Sequence, residues 1–324
     1  MLLLPPFQAR QGNPPETPKQ CGERISNKLQ GEAQQIMKLI RYEAAGKKAL
    51  GVMRGEEQIV NLASALNDAT LTDSMPAFLA RGAETLEAAR NAVQNAPDSA
   101  LIPLGSVRLL APVGDPQKIM CIGQNYRDHC IEQNQPIPER AILFSKYATA
   151  INDPGGDIKM LQVSDKIDYE AELAVVIGTK GRNIAEADAL KHVAGYLCAN
   201  DVTARDIQKG DGQWVRGKSP DTFLPIGPYL VTADEIPDPH NLDISLTLNG
   251  QAMQQSNTHN LIFNIPYLIA YLSQTMTLLP GDILSTGTPG GVGVFRDPPI
   301  FLKAGDTVSV TIAGLGTLTN QVVN

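Results

Sequence analysis

Glu170 and Glu172 stand two residues apart at the head of the apolar run 173–177, within "KIDYEAELAVVIG" at 166–178. An apolar, β-branched run of this length reads as a buried strand, whose period of two sends alternate side chains to one face. The two carboxylates therefore point the same way, and they repel unless a cation lies between them or one keeps its proton. A third carboxylate, Asp201 in "GYLCANDVTARDIQ", closes another apolar strand at a strand-to-helix mouth. Three carboxylates with no thiolate or imidazole among them favour a hard divalent ion, Mg²⁺ or Mn²⁺ before Ca²⁺ or Zn²⁺. The competing readings are plainer. Asp201 can cap the helix that follows, where Thr203 and Asp206 have capping-box spacing. Acidic pairs on solvated faces also arise readily in a chain with 34 acidic residues.

A catalytic imidazole has four candidates, His129, His192, His240 and His259. His129 stands in "CIGQNYRDHCIEQNQP" with Glu132 one helical turn on. That spacing lets a carboxylate hold one ring nitrogen and leave the other as a base, as a water-activating dyad needs, although it also suits a solvated salt bridge. His192 reads as helix surface, and His240 and His259 as polar-loop residues. Arg205 and Gln208 share a helix face, and Lys218 lies in "QWVRGKSPDTFLPIG". Near three carboxylates such groups can hold a substrate carboxylate or a developing enolate; the alternative for each is surface solvation. Trp214 reads as packing. The stretch "STGTPGGVG" at 285–293 matches neither a Walker loop nor a dinucleotide fingerprint. Its backbone N–H groups and Thr288 can receive an anion, or the glycines serve a tight turn.

The elements that must position these groups are mostly strands. At 324 residues the chain suits one large or two ordinary domains, and a net charge of −7 argues against a nucleic-acid or acidic-membrane partner. No apolar run is long enough to span a membrane. Cys21, Cys121, Cys130 and Cys198 form no C-x-x-C pair, so a reduced, cytoplasmic setting is expected and thiolate zinc is not. Residues 1–36, rich in Pro, Gln and Glu, read as a disordered extension, and Glu16, Glu23 and Glu32 speak against a transit peptide. A small β-rich domain is expected over 37–107, with short strands in "MKLIRYEA", "KALGVMRG" and "EQIVNLASAL" and a helix in "GAETLEAARNAVQNA". Residues 108–324 form the second domain, opening on the proline-containing linker "LLAPVGDPQK". There "KIMCIGQN", "AILFSK", "ELAVVIG", "AGYLCANDVT", "LPIGPYLVT", "DISLTLNG", "DILSTG" and "TVSVTIAGLGTLTNQVV" read as strands, and "AEADALKHV", "TARDIQ" and "IPYLIAYLSQTM" as helices. The expected class is mixed α+β, β-rich, built on sheets or a distorted barrel rather than doubly wound.

Taken together, "GQNYRDH" with Glu132, "YEAELAVVIG", "ANDVTARDIQ", "GKSPDTFLPIGP" and "STGTPGGVG" stand in the order of the fumarylacetoacetate hydrolase superfamily, which residues 111–324 resemble. The resemblance implies a partly rolled sheet with a small amino-terminal domain, and a homodimer. It implies Mg²⁺ or Mn²⁺, with Ca²⁺ as a surrogate, held by Glu170, Glu172 and Asp201. It gives His129 and Glu132 the role of a water-activating dyad on a mobile lid, and Lys218 that of the active-site lysine. Arg205, Gln208 and Thr288 match substrate contacts, and Lys146 in "FSKYATA" does so less closely. The implied substrate is a small β-diketo or 2-oxo acid.

Because the dyad is intact, the first expectation is hydrolysis of a C–C bond in an acylpyruvate or fumarylacetoacetate-like acid through an enolate. The close alternative is an oxaloacetate tautomerase or decarboxylase using the same site. It is favoured by "QQSNTHNLIF" and "GVGVFRDPPIFLKAGD", which most resemble the domain-containing protein 2 branch. A third reading, from another class, is a non-catalytic binding protein with a structural Ca²⁺ site, in which His129→Ala would leave binding intact and have no turnover to remove.

Overall fold

The strand Ala171–Ile177 is buried along its whole length because it has a partner on each side, Val193–Asn200 and Ile283–Ser285, both antiparallel. Alternate residues feed two different cores. Leu173, Val175 and Ile177 pack with Ile244, Val310 and Leu268, whereas Ala174 and Val176 pack with Phe78 and Val93. Both faces are apolar, which explains a continuous run where a half-exposed strand would alternate. Glu170 and Glu172 share the parity of Ala174 and Val176, so they head the second of these faces.

The computed structural model describes residues 36–324, which form one compact unit. Nearly all of the expected extension at 1–36 lies outside the described residues. From the central strand the sheet runs one way through Ile283–Ser285, Ile119–Gly123 and Ile142–Lys146. The other way it runs through Val193–Asn200, Leu224–Thr232, Lys38–Ala44, Lys47–Arg54, Gln58–Asn61 and Leu101–Pro103. The stretches on either side of 107 are thus joined by main-chain pairing, Lys38 opposite Val231 and Leu39 opposite Leu230. A second, five-stranded sheet carries Gln251–Asn257, Asp243–Leu248, Thr307–Ile312, Gly316–Val323 and Ile158–Lys159. The architecture is mixed α+β and β-rich, with open sheets. No helix among the described residues is long and apolar enough to cross a membrane.

Three elements differ from their sequence reading. "EQIVNLASAL" is a strand only over Gln58–Asn61, after which Leu62–Ala65 is helical, because the Asn61 side chain caps it by accepting from Ser64 N. Glu186–His192 is a 3₁₀ rather than an α-helix. Gln251–Asn257 is a strand that pairs with Asp243–Leu248. The turn between them holds Asn249 and Gly250 at φ 53° and 79°, the left-handed pair that suits a two-residue hairpin.

Close packing of Val193–Asn200 on Leu224–Thr232 depends on Gly195, where a Cβ would lie 2.0 Å from the Val231 carbonyl oxygen. Gly195→Ala is expected to cost about 3 kcal/mol by forcing the strands apart, read as a lowered urea midpoint at unchanged slope.

Candidate active site

The antiparallel register sets Ala171 opposite Asn200, which brings the residues just outside both strand ends together: Asp201 N donates to Glu170 O at 2.9 Å. Glu170, Glu172 and Asp201 are buried, and each offers one oxygen within 4.8 Å of the others. Cations surround two of them. Lys218 Nζ donates to Glu170 Oε2 at 2.6 Å and to Asp201 Oδ2 at 2.7 Å. Arg205 Nη2 faces Glu170 Oε1 at 2.6 Å, and Lys146 Nζ donates to Asp201 Oδ1 at 2.5 Å. Asp201 is therefore no helix cap. The helix Arg205–Gly210 has Ala204 at its cap with no side-chain bond, Thr203 Oγ1 donates to Asp201 O, and Asp206 accepts from Ser164 Oγ. The capping-box spacing is present without the capping box, because Thr203 and Asp206 are engaged elsewhere, and lysines occupy the Asp201 carboxylate.

Glu172 is held differently. Its Oε2 accepts from Ser285 Oγ and Gly287 N, both neutral donors, and it has no ion pair of its own among the described residues. Burial, with Asp201 and Glu170 alongside, pushes its carboxyl up to about 8. For Glu170 burial acts the same way but is outweighed by Lys218 and Arg205, which hold it down to about 2. Lys218 is raised because Asp201 and Glu170 overcome its burial, whereas burial lowers Lys146 against the pull of Asp201. Three buried carboxylates, one without a cationic partner, form an all-oxygen donor set that fits a hard divalent ion. Since lysines already neutralise two of the three, the fold is not expected to depend on such an ion. Chelation is expected to lower the melting temperature only modestly. Mg²⁺ at about 100 times its dissociation constant should add about 2.7 kcal/mol of stability, read by thermal shift.

His129 lies in the short helix Arg127–Glu132, its ring 6.0 Å from that of Phe295. Its Nδ1 is 3.0 Å from Glu132 Oε2. An ionised carboxylate only accepts, so Nδ1 is the donor toward Glu132, and in the neutral ring that tautomer leaves the Nε2 lone pair as the base. Glu132 Oε1 in turn accepts from Gly291 N at 2.8 Å, which ties the helix to the glycine-rich loop. That loop does receive anions, but they are the protein's own: Gly287 N binds Glu172, Gly291 N binds Glu132, and Gly293 N and Val294 N bind Asp168. Gly291, at φ 101°, allows this only without a side chain, since a Cβ there would lie 2.3 Å from Met253 O.

One cavity joins most of the expected residues: His129, Glu170, Glu172, Arg205, Gln208, Lys218 and Thr288 all stand in its wall. Asp201 sits one layer deeper behind Lys218, whereas Glu132 lies outside the lining, half-buried beside the His129 ring. Lys146 does not reach the cavity; it is fully buried against Asp201 and the Val202 carbonyl. His192, His240 and His259 lie outside it, as their sequence setting implies.

Three contributors escaped the sequence reading. Asp168 is wholly buried and bridges Arg205 Nε, at 2.8 Å, to the backbone of Gly293 and Val294. Its signal was present, since Asp168 precedes Glu170 by the same step of two. Gln254 accepts from Ala171 N and donates to Thr288 Oγ1, so it sets the height of Thr288 against the central strand. Trp214 both packs, edge-on to Phe144 at 5.3 Å, and walls the cavity over Gly123.

This geometry has close counterparts. Residues 118–323 match the family model for the fumarylacetoacetate (FAA) hydrolase C-terminal domain. The mitochondrial oxaloacetate tautomerase of Xenopus laevis is 49% identical over 258 residues, covering 79% of this chain and 80% of the relative. A fumarylacetoacetate hydrolase domain-containing protein 2 homolog from Dictyostelium discoideum is 43% identical over 302 residues, 89% of this chain and 97% of its own. The solved fumarylacetoacetate hydrolase of psychrophilic Exiguobacterium antarcticum superposes with a TM-score of 0.78 at 36% identity, covering 89% of this chain and 99% of that one. Sequence and fold agree over most of each molecule, and the chain belongs to the fumarylacetoacetate hydrolase family, in its domain-containing protein 2 branch.

Proposed function

We propose that the protein is an enzyme that interconverts the keto and enol forms of oxaloacetate. The observation that carries this is the single cavity wall holding a proton-transfer group, His129, beside the buried carboxylates and fixed cations that suit an enolate. The likeness to the Xenopus oxaloacetate tautomerase supports oxaloacetate as the substrate.

Glu170, Glu172 and Asp201 would hold Mg²⁺ or Mn²⁺, with Ca²⁺ as a surrogate. When bound, such a cation supplies Lewis-acid polarisation of the 2-oxo group. Arg205, its guanidinium locked between Asp168 and Glu170, offers Nη1 toward Gln208 and orients the substrate carboxylate with it. Toward the enol, His129 Nε2 takes the proton from C3 and gives it to the enolate oxygen, and toward the keto form the transfer reverses, while Glu132 keeps the ring oriented. Lys218, held charged by Glu170 and Asp201, lies ready to donate to the oxygen on which negative charge collects. Thr288, fixed by Gln254, completes the polar wall opposite.

The second reading is hydrolysis of a C–C bond in an acylpyruvate or fumarylacetoacetate-like acid, and the His129–Glu132 pair favours it. The same Nε2 would take its proton from water. Decarboxylation of oxaloacetate would use the same enolate. Product analysis separates the three. Oxaloacetate and acetylpyruvate are incubated with Mg²⁺, Mn²⁺ or excess chelator. Metal-dependent keto–enol exchange without carbon loss supports the tautomerase. Pyruvate from acetylpyruvate would move the assignment to hydrolysis, and carbon dioxide from oxaloacetate would move it to decarboxylation. Silence on both substrates would favour the non-catalytic binding protein.

Free, buried Cys121, Cys130 and Cys198 suit a reducing compartment. The cytoplasm expected from the sequence and the mitochondrial compartment in the Xenopus relative's name both qualify, and subcellular fractionation distinguishes them. A homodimer is proposed from the family resemblance, to be read by light scattering.

A further inference from the structure

The cations deep in the cavity wall are paired: Arg205 with Asp168 and Glu170, and Lys218 with Glu170 and Asp201. Lys209 is the exception. It stands in the same wall on the last turn of the helix Arg205–Gly210, exposed, and among the described residues it makes no ion pair with any carboxylate. The acids nearest in sequence are already engaged. Asp211 is bound by Arg216 through both oxygens at 2.5 Å, and Asp206 accepts from Ser164 Oγ and Ile207 N. Phe295 supports the lysine, with Nζ 5.7 Å from the ring centroid, and the same ring meets His129 edge-on at 6.0 Å. One aromatic surface therefore runs from the proton-transfer group to an unmatched positive charge.

We infer that Lys209 is a specificity-determining residue that receives the distal carboxylate of a dicarboxylic 2-oxo acid. This deepens the proposed function and rests on its assignment of the cavity as the substrate site. A substrate whose 2-oxo acid end lies among Arg205, Gln208 and Lys218 presents its other end along Phe295. A carboxylate there meets the one cation in the wall that has no internal partner, while a neutral end gains only apolar contact. The long, flexible lysine stem tolerates more than one spacing between the two ends, so the selection is for charge more than for length. Because Lys209 is exposed, the preference is screened by salt.

The test is calorimetric titration of the Mg²⁺-loaded protein with malate and with lactate, two non-enolisable 2-hydroxy acids that differ in the distal carboxylate. Wild type is expected to prefer malate about tenfold, and less at high ionic strength. Lys209→Gln should remove most of that preference by weakening malate alone, and Lys209→Glu should reverse it. Both changes lie on an exposed side chain, so the melting temperature is expected to hold. If the preference survives in Lys209→Gln, or if wild type turns over oxaloacetate without preferring malate, the assignment of Lys209 is overturned while the proposed function stands. A wild type that neither discriminates nor turns over oxaloacetate overturns both.

Discussion

Glu172→Gln is expected to lower oxaloacetate turnover by at least about 100-fold and to abolish stabilisation by Mg²⁺, while the protein remains folded. Glu172 is held by neutral donors alone. Its partners are a hydroxyl and a backbone N–H, which an amide oxygen satisfies equally well. Removing its charge therefore leaves no buried cation stranded, unlike removal of Glu170 or Asp201, each of which faces lysine or arginine. Glu170→Gln and Asp201→Asn should also lose activity, but with an added stability loss of about 3 kcal/mol from the uncompensated cation. Thermal melts with and without Mg²⁺, beside turnover, separate the two classes. A Glu172→Gln protein that still gained stability from Mg²⁺ would take this carboxylate out of the ion site.

His129→Ala is expected to reduce turnover by about 10²- to 10⁴-fold, the usual range for loss of a positioned proton-transfer group. The thermal shift with Mg²⁺ should be unchanged, because His129 bonds Glu132 rather than any member of the carboxylate triad. Glu132→Gln should cost less, about tenfold, since the amide can still face Nδ1 while losing its preference for one ring tautomer. An activity that survived His129→Ala would transfer the proton-handling role to Lys218, the buried lysine in the wall.

How far the site is legible in the sequence follows from which contacts are local. Glu170 and Glu172 can be paired from period two alone, and the central strand places them on one face as that period requires. The His129–Glu132 contact is one helical turn and is equally local. Asp201 is another matter. Its place opposite Glu170 is fixed by strand register, 31 positions away in the chain, and no pattern within either strand specifies that register. Its strand-end position makes it a candidate, and the family resemblance joins it to the pair. Lys146 shows the converse: the motif around it matched a substrate contact, while the fold buries it behind Asp201.

The glycine-rich loop reads either as a place for an anion or as a tight turn, and the acceptors its N–H groups meet are three carboxylates of the chain itself. A sequence shows that donors are free to point somewhere and is silent on what arrives. Asp168 and the strand Gln251–Asn257 were legible and missed, the first as a third acid in the step-two series, the second from the Asn249–Gly250 turn that precedes it. Gln254 was not legible, because its part is to join Ala171 to Thr288 across 83 and 34 positions of chain.

The central claim is that one cavity couples the carboxylate triad to His129 for enolisation. It is tested most directly by adding enol oxaloacetate and following decay of the enol absorbance in stopped flow. Wild type with Mg²⁺ or Mn²⁺ is predicted to accelerate that decay with no pyruvate or carbon dioxide formed, and Glu172→Gln and His129→Ala are each predicted to lose the acceleration. An unaccelerated decay with the metal-loaded wild type, or an acceleration that both variants retain, would contradict the account.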